Sequence, residues 1–270
     1  MLKKRLTEKQ LKVRQQAFAL TLSTVVFMTV YNLCTWYASS TADADSFTFD
    51  FEKFIPFIPL SIIPYMAGGL FFCVVFFLCK NKNQLKILTW RTLFVTIIAG
   101  IFFVTVPLRF SFVKPDVTNS ILKIPFSFLN TFDSRFNQSP SLHIAFAFIF
   151  WTVFKEQSKW RSPLMICLIL LGISTLTTYQ HHCIDILTGT ILAHLSFILI
   201  PYRKDDPEYS NIRLANYYFL AGWILISAAL LTYKYIGREG LLLCLPATAA
   251  IIIGYIYQKK QSAQKLHNYT

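Results

Sequence analysis

Eight apolar runs divide this chain, and the loops between them alternate between strongly basic and weakly charged. A helix needs about 20 apolar residues to cross about 30 Å of hydrocarbon, and most of these runs approach that length. The composition agrees, since 54% of the residues are hydrophobic and only 14% are charged. We therefore predict an all-α, polytopic membrane protein whose helices form a bundle.

The runs are predicted to be eight transmembrane helices, of which the fourth is short. They cover approximately residues 16–37, 60–78, 92–106, 141–154, 163–179, 185–201, 217–233 and 241–257. The predicted organisation is therefore a basic tail (1–15), a six-span core (16–201), a loop (202–214), two additional spans (215–258) and a second tail (259–270).

Lysine and arginine are concentrated in alternate loops. With both tails and every second loop placed inside, 19 of the 26 Lys and Arg residues lie inside and 7 lie outside. This asymmetry follows the positive-inside rule and predicts an inner-membrane protein with both termini in the cytoplasm. The same clustering in loops argues against nucleic-acid binding as the reason for the net charge of +13.

Two outer loops carry most of the remaining polar residues. In the first, Phe47, Phe51 and Phe54 recur at helical steps and predict an interfacial helix that Pro56 should end or kink. An ordinary connector that touches no substrate is the alternative interpretation. The second loop, residues 107–140, is the longest between spans, and long loops usually carry function.

Two short segments carry most of the reactive side chains. They are Ser-Pro-Ser-Leu-His at residues 139–143 and Thr-Tyr-Gln-His-His-Cys-Ile-Asp at residues 178–185. The helical hairpin between them should bring both to the same side of the membrane. His181 and Asp185 share one face if a helix begins there, so that the carboxylate can orient and polarise the imidazole. A polarised imidazole is a nucleophile or a base.

The first segment predicts an anion-binding helix start. Pro140 suits a first helical turn, and the unpaired amides of Ser141, Leu142 and His143 would then bind an anion, most naturally phosphate. Alternatively, Pro-Ser merely starts a helix and His143 lies at the membrane interface.

Pro140-Ser141-Leu142-His143, followed by His181 and Asp185 in His-x-x-x-Asp, resembles the type 2 phosphatidic acid phosphatase superfamily. The resemblance covers residues 16–201 and is similar to a bacterial branch near the membrane inositolphosphotransferases. It implies a six-helix phosphatase-like core to which two C-terminal transmembrane helices are added. It also implies that His181 attacks phosphorus to form a phosphohistidine and that His143 protonates the leaving oxygen. In this scheme Asp185 orients His181, and Ser141 contacts the phosphate oxygens.

The sequence departs from the family pattern at two cations. Phe102 stands where the family's first motif has lysine, and Thr175 stands where its last motif often has arginine. Arg109 remains as a phosphate clamp. Arg135 or Lys114 could replace the missing charge, because developing phosphoryl charge must be neutralised. A contact with a headgroup or at the surface is an equal alternative for either residue.

The resemblance implies a phosphatase that acts on a lipid phosphate or lipid diphosphate at the periplasmic face. The alternative is a phosphotransferase that passes the phosphoryl group or phospho-headgroup to an alcohol, whose hydroxyls would be bound by Asn137, Gln138 and His182. A carrier or channel would explain the spans but not the polar cluster at the membrane edge. The identity of the lipid and the oligomeric state stay open.

We expect neither metal nor cofactor. The outer loops offer only Asp116 and Asp133 near the site, whereas a two-metal mechanism needs clustered carboxylates. The six cysteines form no Cys-x-x-Cys pair and are predicted to be free thiols. His194 lies within a span, where a hydrogen bond to a neighbouring helix explains it more simply than catalysis does.

Overall fold

The computed structural model describes residues 8–40, 44–132, 136–202 and 210–267, and their side chains except at 8–11, 132 and 261–267. These ranges contain helices and no strands, which confirms the all-α class. The helices are α1 (Glu8–Ser40), α2 (Ile62–Val75), α3 (Lys82–Thr105), α4 (Ser120–Phe132), α5 (Leu142–Phe154), α6 (Arg161–Thr177), α7 (Cys183–Leu199), α8 (Ser210–Tyr235) and α9 (Cys244–His267).

Each of the eight predicted spans coincides with a helix, and α4 is an additional helix within the predicted loop 107–140. Four helices in the described ranges are long and apolar enough to cross a membrane: Lys12–Ser40, Lys82–Thr105, Ser210–Tyr235 and Arg238–Lys260. The other four predicted spans are shorter apolar helices: Pro59–Val75, Leu142–Phe154, Arg161–Thr177 and Cys183–Leu199. These reach only about 20–26 Å at 1.5 Å per residue. The arrangement of six full spans plus two therefore stays a prediction.

The third helix begins earlier than predicted. The side chain of Asn81 accepts a hydrogen bond from the amide of Gln84 and caps α3, so Lys82 and Arg91 lie in the helix and not in a basic loop. Arg91 is buried, and its Nε donates to the carbonyl of Ile200 at 3.0 Å. This places a cation at the end of α7, where the helix dipole favours it.

Phenylalanine side chains fill the core of the bundle between α2, α3, α5 and α7. The buried members are Phe71, Phe76, Phe103, Phe146, Phe150, Phe154 and Phe197. Phe146 and Phe150 of α5 stack with ring centroids 5.6 Å apart, and Phe72 of α2 contacts both rings edge-on. Such aromatic contacts add to the free energy of burial and fix how α5 lies against α2.

The basic loops collect at one end of the bundle. There Gln16 of α1 donates to the carbonyl of Phe77, and Lys80 forms an ion pair of 3.5 Å with Glu156. These contacts join the start of α1 to the α2–α3 and α5–α6 connections. We call this part of the molecule the basic end.

The two reactive segments lie at the opposite end, which we call the motif end. The hairpin of α8 and α9 reaches it as well, since Lys234 near the end of α8 donates to the carbonyl of Thr48 and lies over the ring of Phe47 at 4.9 Å. α8 also packs against α7. The two C-terminal helices are therefore attached to the core at its motif end.

The segment between α1 and α2 corrects the predicted interfacial helix. It forms only a 3-10 helix at Asp50–Phe54 and a second one at Pro59–Ser61, because Pro56 and Pro59 cannot continue a helix. Within the first, Phe54 is 77% exposed whereas Glu52 is only 1% exposed. This segment turns an acidic side chain into the protein interior.

Candidate active site

The two reactive segments meet where α5 and α7 begin. The amide of Ser141 donates to the carbonyl of Asp185 at 3.0 Å, and the hydroxyls of Ser139 and Thr188 are 2.8 Å apart. Gly189 lies against the carbonyl of Ser141, where no side chain would fit. The hairpin of α5 and α6 thus returns the second segment to the first, and backbone contacts hold the two helix starts together.

His181, Asp185 and His143 form the centre of the site. The Nδ1 atom of His181 is 3.4 Å from the Oδ2 atom of Asp185, which is an ion-pair distance without hydrogen-bond geometry. The rings of His143 and His181 have centroids 5.7 Å apart and are tilted by 66°. Tyr65 of α2 supports the ring of His143 at a centroid distance of 4.5 Å. Both imidazoles are therefore close enough to contact one small group.

Asp185 serves two purposes at the start of α7. Its Oδ2 atom accepts the amide of His182 at 2.8 Å and caps the helix, while the same atom faces His181. The atoms Ser141 Oγ, His181 Nδ1 and Asp185 Oδ1 are buried without a hydrogen-bond partner within the described part of the chain. Because buried polar atoms are normally hydrogen-bonded, three such atoms in one place indicate a site for a polar ligand.

The start of α5 corrects the predicted anion-binding amides by one residue. Ser141 is the N-cap residue, and its amide is occupied by the carbonyl of Asp185. Pro140 therefore precedes the helix and does not form its first turn. The amides of the first turn are those of Leu142, His143 and Ile144, which lack an intrahelical acceptor by helix geometry and lie where the helix dipole favours an anion.

A tight turn delivers His181 from the end of α6. The carbonyl of Thr175 accepts the amides of both Gln180 and His181, at 3.1 and 3.0 Å. Tyr179 adopts a left-handed φ of 54°, which is uncommon for a residue with a side chain, and its hydroxyl donates to the carbonyl of Ile55 at 2.9 Å. Thr175 is fully buried, and its carbonyl shapes this turn.

His182 is anchored inside the protein on both ring nitrogens. Nδ1 is 2.8 Å from the Oε2 atom of Glu52, and Nε2 is 3.2 Å from the amide nitrogen of Ser111. The ring also stacks on Phe110 with centroids 4.4 Å apart. Both ring nitrogens of His182 are thus engaged by the protein, and the expectation that His182 binds substrate stays a prediction. No local sequence pattern relates Glu52 to His182, which lie 130 positions apart, so the sequence alone could not predict this pair.

Asn137 is likewise turned toward the scaffold. Its Nδ2 atom donates to the carbonyl of Tyr31 at 2.9 Å and to the hydroxyl of Thr35 at 2.8 Å, both on α1. These contacts tie the approach to α5 onto α1. The Oδ1 atom of Asn137 is buried without a hydrogen-bond partner within the described residues, and the expectation that Asn137 binds substrate stays a prediction.

Of the cations predicted to bind phosphate, the structure describes Arg109 but not Arg135. The backbone of Arg109 donates to the carbonyl of Asp45 at 2.8 Å, and its side chain is exposed beside Phe110. Phe102 is exposed on α3 and does not belong to the site. The predictions for Arg135 and for Asp133 fall outside the described residues.

Two other expectations concern metals and His194. Across residues 8–40, 44–132, 136–202 and 210–267, no group of three or more His, Cys, Asp or Glu side chains could hold a metal ion. His194 is surrounded by the rings of Phe148, Phe197 and Phe219 and forms a hydrogen bond with Asn216 of α8. Its Nδ1 atom has no hydrogen-bond partner within the described residues, so the predicted hydrogen bond to a neighbouring helix rests on Asn216 alone.

Comparison with known proteins gives one match. A family model described as the PAP2 superfamily matches residues 65–199, which is half of the chain. The matched range contains both reactive segments and excludes α1, Glu52 and the α8–α9 hairpin. No curated protein and no solved structure matches the chain.

Proposed function

Because the chain belongs to the PAP2 superfamily, we propose that it is an integral membrane phosphatase that removes phosphate from lipid phosphates or lipid diphosphates. Membership itself suggests a phosphatase or phosphotransferase-type membrane protein. The observation that carries the narrower proposal is the arrangement of His181, whose Nδ1 atom is 3.4 Å from Asp185 and whose ring centroid is 5.7 Å from that of His143.

In the proposed reaction His181 is the nucleophile. Asp185 faces Nδ1, which leaves Nε2 to attack phosphorus. The new N–P bond replaces the P–O bond to the lipid alcohol, or to the lipid monophosphate when the substrate is a diphosphate, and His143 gives its proton to the departing oxygen. His143 then takes a proton from water as the water attacks phosphorus, which breaks the N–P bond and releases inorganic phosphate. Asp185 stabilises the positive charge that the His181 ring carries in the phosphohistidine intermediate.

The developing negative charge on the phosphoryl oxygens is stabilised mainly by the start of α5. The amides of Leu142 and His143 lie in its first turn, and the Ser141 hydroxyl is beside them. Donors fixed in position before the reaction stabilise a transition state without reorganisation. Leu108 forms an isolated β-bridge with Asn137, which precedes α5, and the exposed Arg109 beside it supplies the remaining positive charge in this proposal.

Water is favoured as the acceptor over an alcohol. The hydroxyls of an alcohol acceptor were expected to bind Asn137, Gln138 and His182. The amide nitrogen of Asn137 is bonded to α1, and both ring nitrogens of His182 are bonded to Glu52 and Ser111. His182 is therefore fully engaged and Asn137 keeps only its Oδ1 atom for an acceptor, which supports hydrolysis over transfer.

Two features support a lipid substrate and a periplasmic site. Large apolar side chains are more than half exposed at or near the motif end, among them Phe54, Leu60, Ile63, Ile121 and Ile124. Side chains of this kind suit contact with acyl chains. The basic loops lie at the opposite end of the bundle, and the positive-inside rule assigns that end to the cytoplasm of an inner-membrane protein.

The test uses purified protein supplied with phosphatidate, phosphatidylglycerol phosphate or a polyprenyl diphosphate, with and without a polyol. We expect inorganic phosphate as the main product and an acid-labile, alkali-stable phosphoenzyme. His181→Asn should abolish both, whereas His267→Asn, which removes a histidine outside both segments, should retain them. Mainly phosphorylated polyol would identify a transferase, and solute flux into vesicles without phosphate release would identify a carrier.

A further inference from the structure

Glu52 and His182 form a buried acid–histidine pair directly beside the proposed nucleophile. We infer that Glu52 is a positioning residue that acts through His182 to hold His181 in its reactive orientation. This inference rests on the proposed function, in which His181 attacks phosphorus. It concerns a residue outside the range 65–199 that matches the family.

Both carboxylate oxygens of Glu52 are engaged. Oε1 accepts the amide of Phe49 at 2.9 Å, and Oε2 is 2.8 Å from Nδ1 of His182. The side chain of Glu52 is only 1% exposed, and a buried carboxylate is tolerated when it is paired and hydrogen-bonded in this way. Glu52 therefore has a defined partner, and that partner is the residue next to the nucleophile.

The contacts of His182 define its tautomer. The amide of Ser111 can only donate, so Nε2 of His182 must accept and cannot carry the proton. The proton therefore resides on Nδ1 and is donated to Glu52. The carboxylate is the acceptor that this tautomer requires, and Gln at position 52 would offer a single acceptor to two donors.

His182 is the meeting point of three chain segments. Glu52 reaches it from the α1–α2 connection, Ser111 and Phe110 from the α3–α4 connection, and its own amide donates to Asp185. On the other side of the nucleophile, the amide of His181 is held by the carbonyl of Thr175. The backbone around His181 is thus held on both sides: by Thr175 before it, and after it by His182, which Glu52 holds in place.

The decisive variant is Glu52→Gln, which keeps the size of the side chain and removes its charge. Its matched control is Glu239→Gln, the same change at an exposed acid in the α8–α9 connection. We expect Glu52→Gln to lower kcat for a lipid phosphate by about tenfold to a hundredfold with KM within about twofold, since small displacements of a reacting group have effects of this size. Glu239→Gln should change neither.

A second measurement reports on the tautomer without any turnover. In protein labelled with [15N]histidine, nitrogen NMR should show His182 protonated on Nδ1. The chain has five histidines, and the His182 signal is the one that disappears in His182→Asn. Glu52→Gln should remove or alter this signal. The double variant Glu52→Gln/His182→Asn should lose no more kcat than the more affected single variant, because both changes break one linkage.

The outcomes separate this inference from the proposed function. If His181→Asn keeps turnover, the proposed function fails and the positioning role fails with it. If His181→Asn is inactive while Glu52→Gln retains kcat within about twofold, only the positioning role is overturned. Additive losses in the double variant would also overturn it. If Glu52→Gln does not fold, His182→Asn decides, since it removes the imidazole ring that links Glu52 to Ser111: normal kcat there would overturn the inference.

Discussion

The carbonyl oxygen of Ser141 lies against Gly189 so closely that a Cβ atom built on Gly189 would be 2.5 Å from it. Real Cβ atoms are not found at this distance from an oxygen, so the start of α5 rests on α7 with no side chain between them. This contact sets how far His143 stands from His181, because His143 lies two residues after Ser141 and His181, just before α7 begins, lies eight residues before Gly189.

Gly189→Ala should therefore damage the site. The added methyl group must push the start of α5 away from α7, and we expect turnover to fall at least about tenfold with a loss of stability of about 1–3 kcal/mol. Phosphate release and thermal unfolding of the purified variant measure the two effects. Gly69→Ala is the matched control, because a Cβ there meets no atom within 4 Å. If Gly189→Ala and Gly69→Ala had the same turnover and stability, the close contact would not matter for function.

His143→Ala should have an effect that depends on the leaving group. A general acid contributes about 10²–10⁴-fold when the departing alkoxide is a poor leaving group, as in a lipid phosphate. An aryl phosphate with an acidic phenol needs no proton, so its turnover should fall much less. Steady-state rates with both substrates test this. Equal losses for the two substrates would assign His143 to binding and not to proton transfer.

Chelators should leave the activity unchanged, and vanadate should inhibit it. The proposed mechanism uses histidines and amides throughout, and the described residues hold no group of metal-binding side chains. Vanadate adopts the trigonal bipyramidal geometry of a phosphoryl group in transfer, so it should compete with the substrate. Phosphate release in the presence of EDTA or vanadate is the measurement. Inhibition by EDTA that magnesium reverses would contradict a metal-independent site.

The orientation of the bundle can be tested with single cysteines. Val113 lies in the α3–α4 connection and is 89% exposed, so Val113→Cys should react with a membrane-impermeant maleimide in intact cells. Lys159→Cys at the basic end should react only after permeabilisation.

The native thiols must not react in this experiment. Cys73 and Cys167 are exposed and need prior replacement. Cys79 is less of a concern, because burial, with the Glu156 carboxylate, raises the pKa of its thiol to about 12. The reverse labelling pattern would place the site in the cytoplasm.

The sequence predicts the features that are encoded locally. Each apolar run became a helix, and the i, i+4 spacing placed His181 and Asp185 on the same side of a helix start. By contrast, α4 lies in a segment that contains Pro125 and was interpreted as a loop. Its existence depends on packing, since Phe126 and Leu129 are buried against α2. The start of α5 was misplaced by one residue for a similar reason: the amide of Ser141 is bonded to a carbonyl 44 positions away.

The pairing of Glu52 with His182 also constrains how relatives of this protein can diverge. An acid without the histidine leaves a buried charge unpaired, and removing one partner of such a pair typically costs about 3–5 kcal/mol. Each single replacement is thus disfavoured, while a joint replacement by two apolar residues is permitted. Positions 52 and 182 should therefore covary across homologous sequences, so that an acid at the first predicts a histidine at the second.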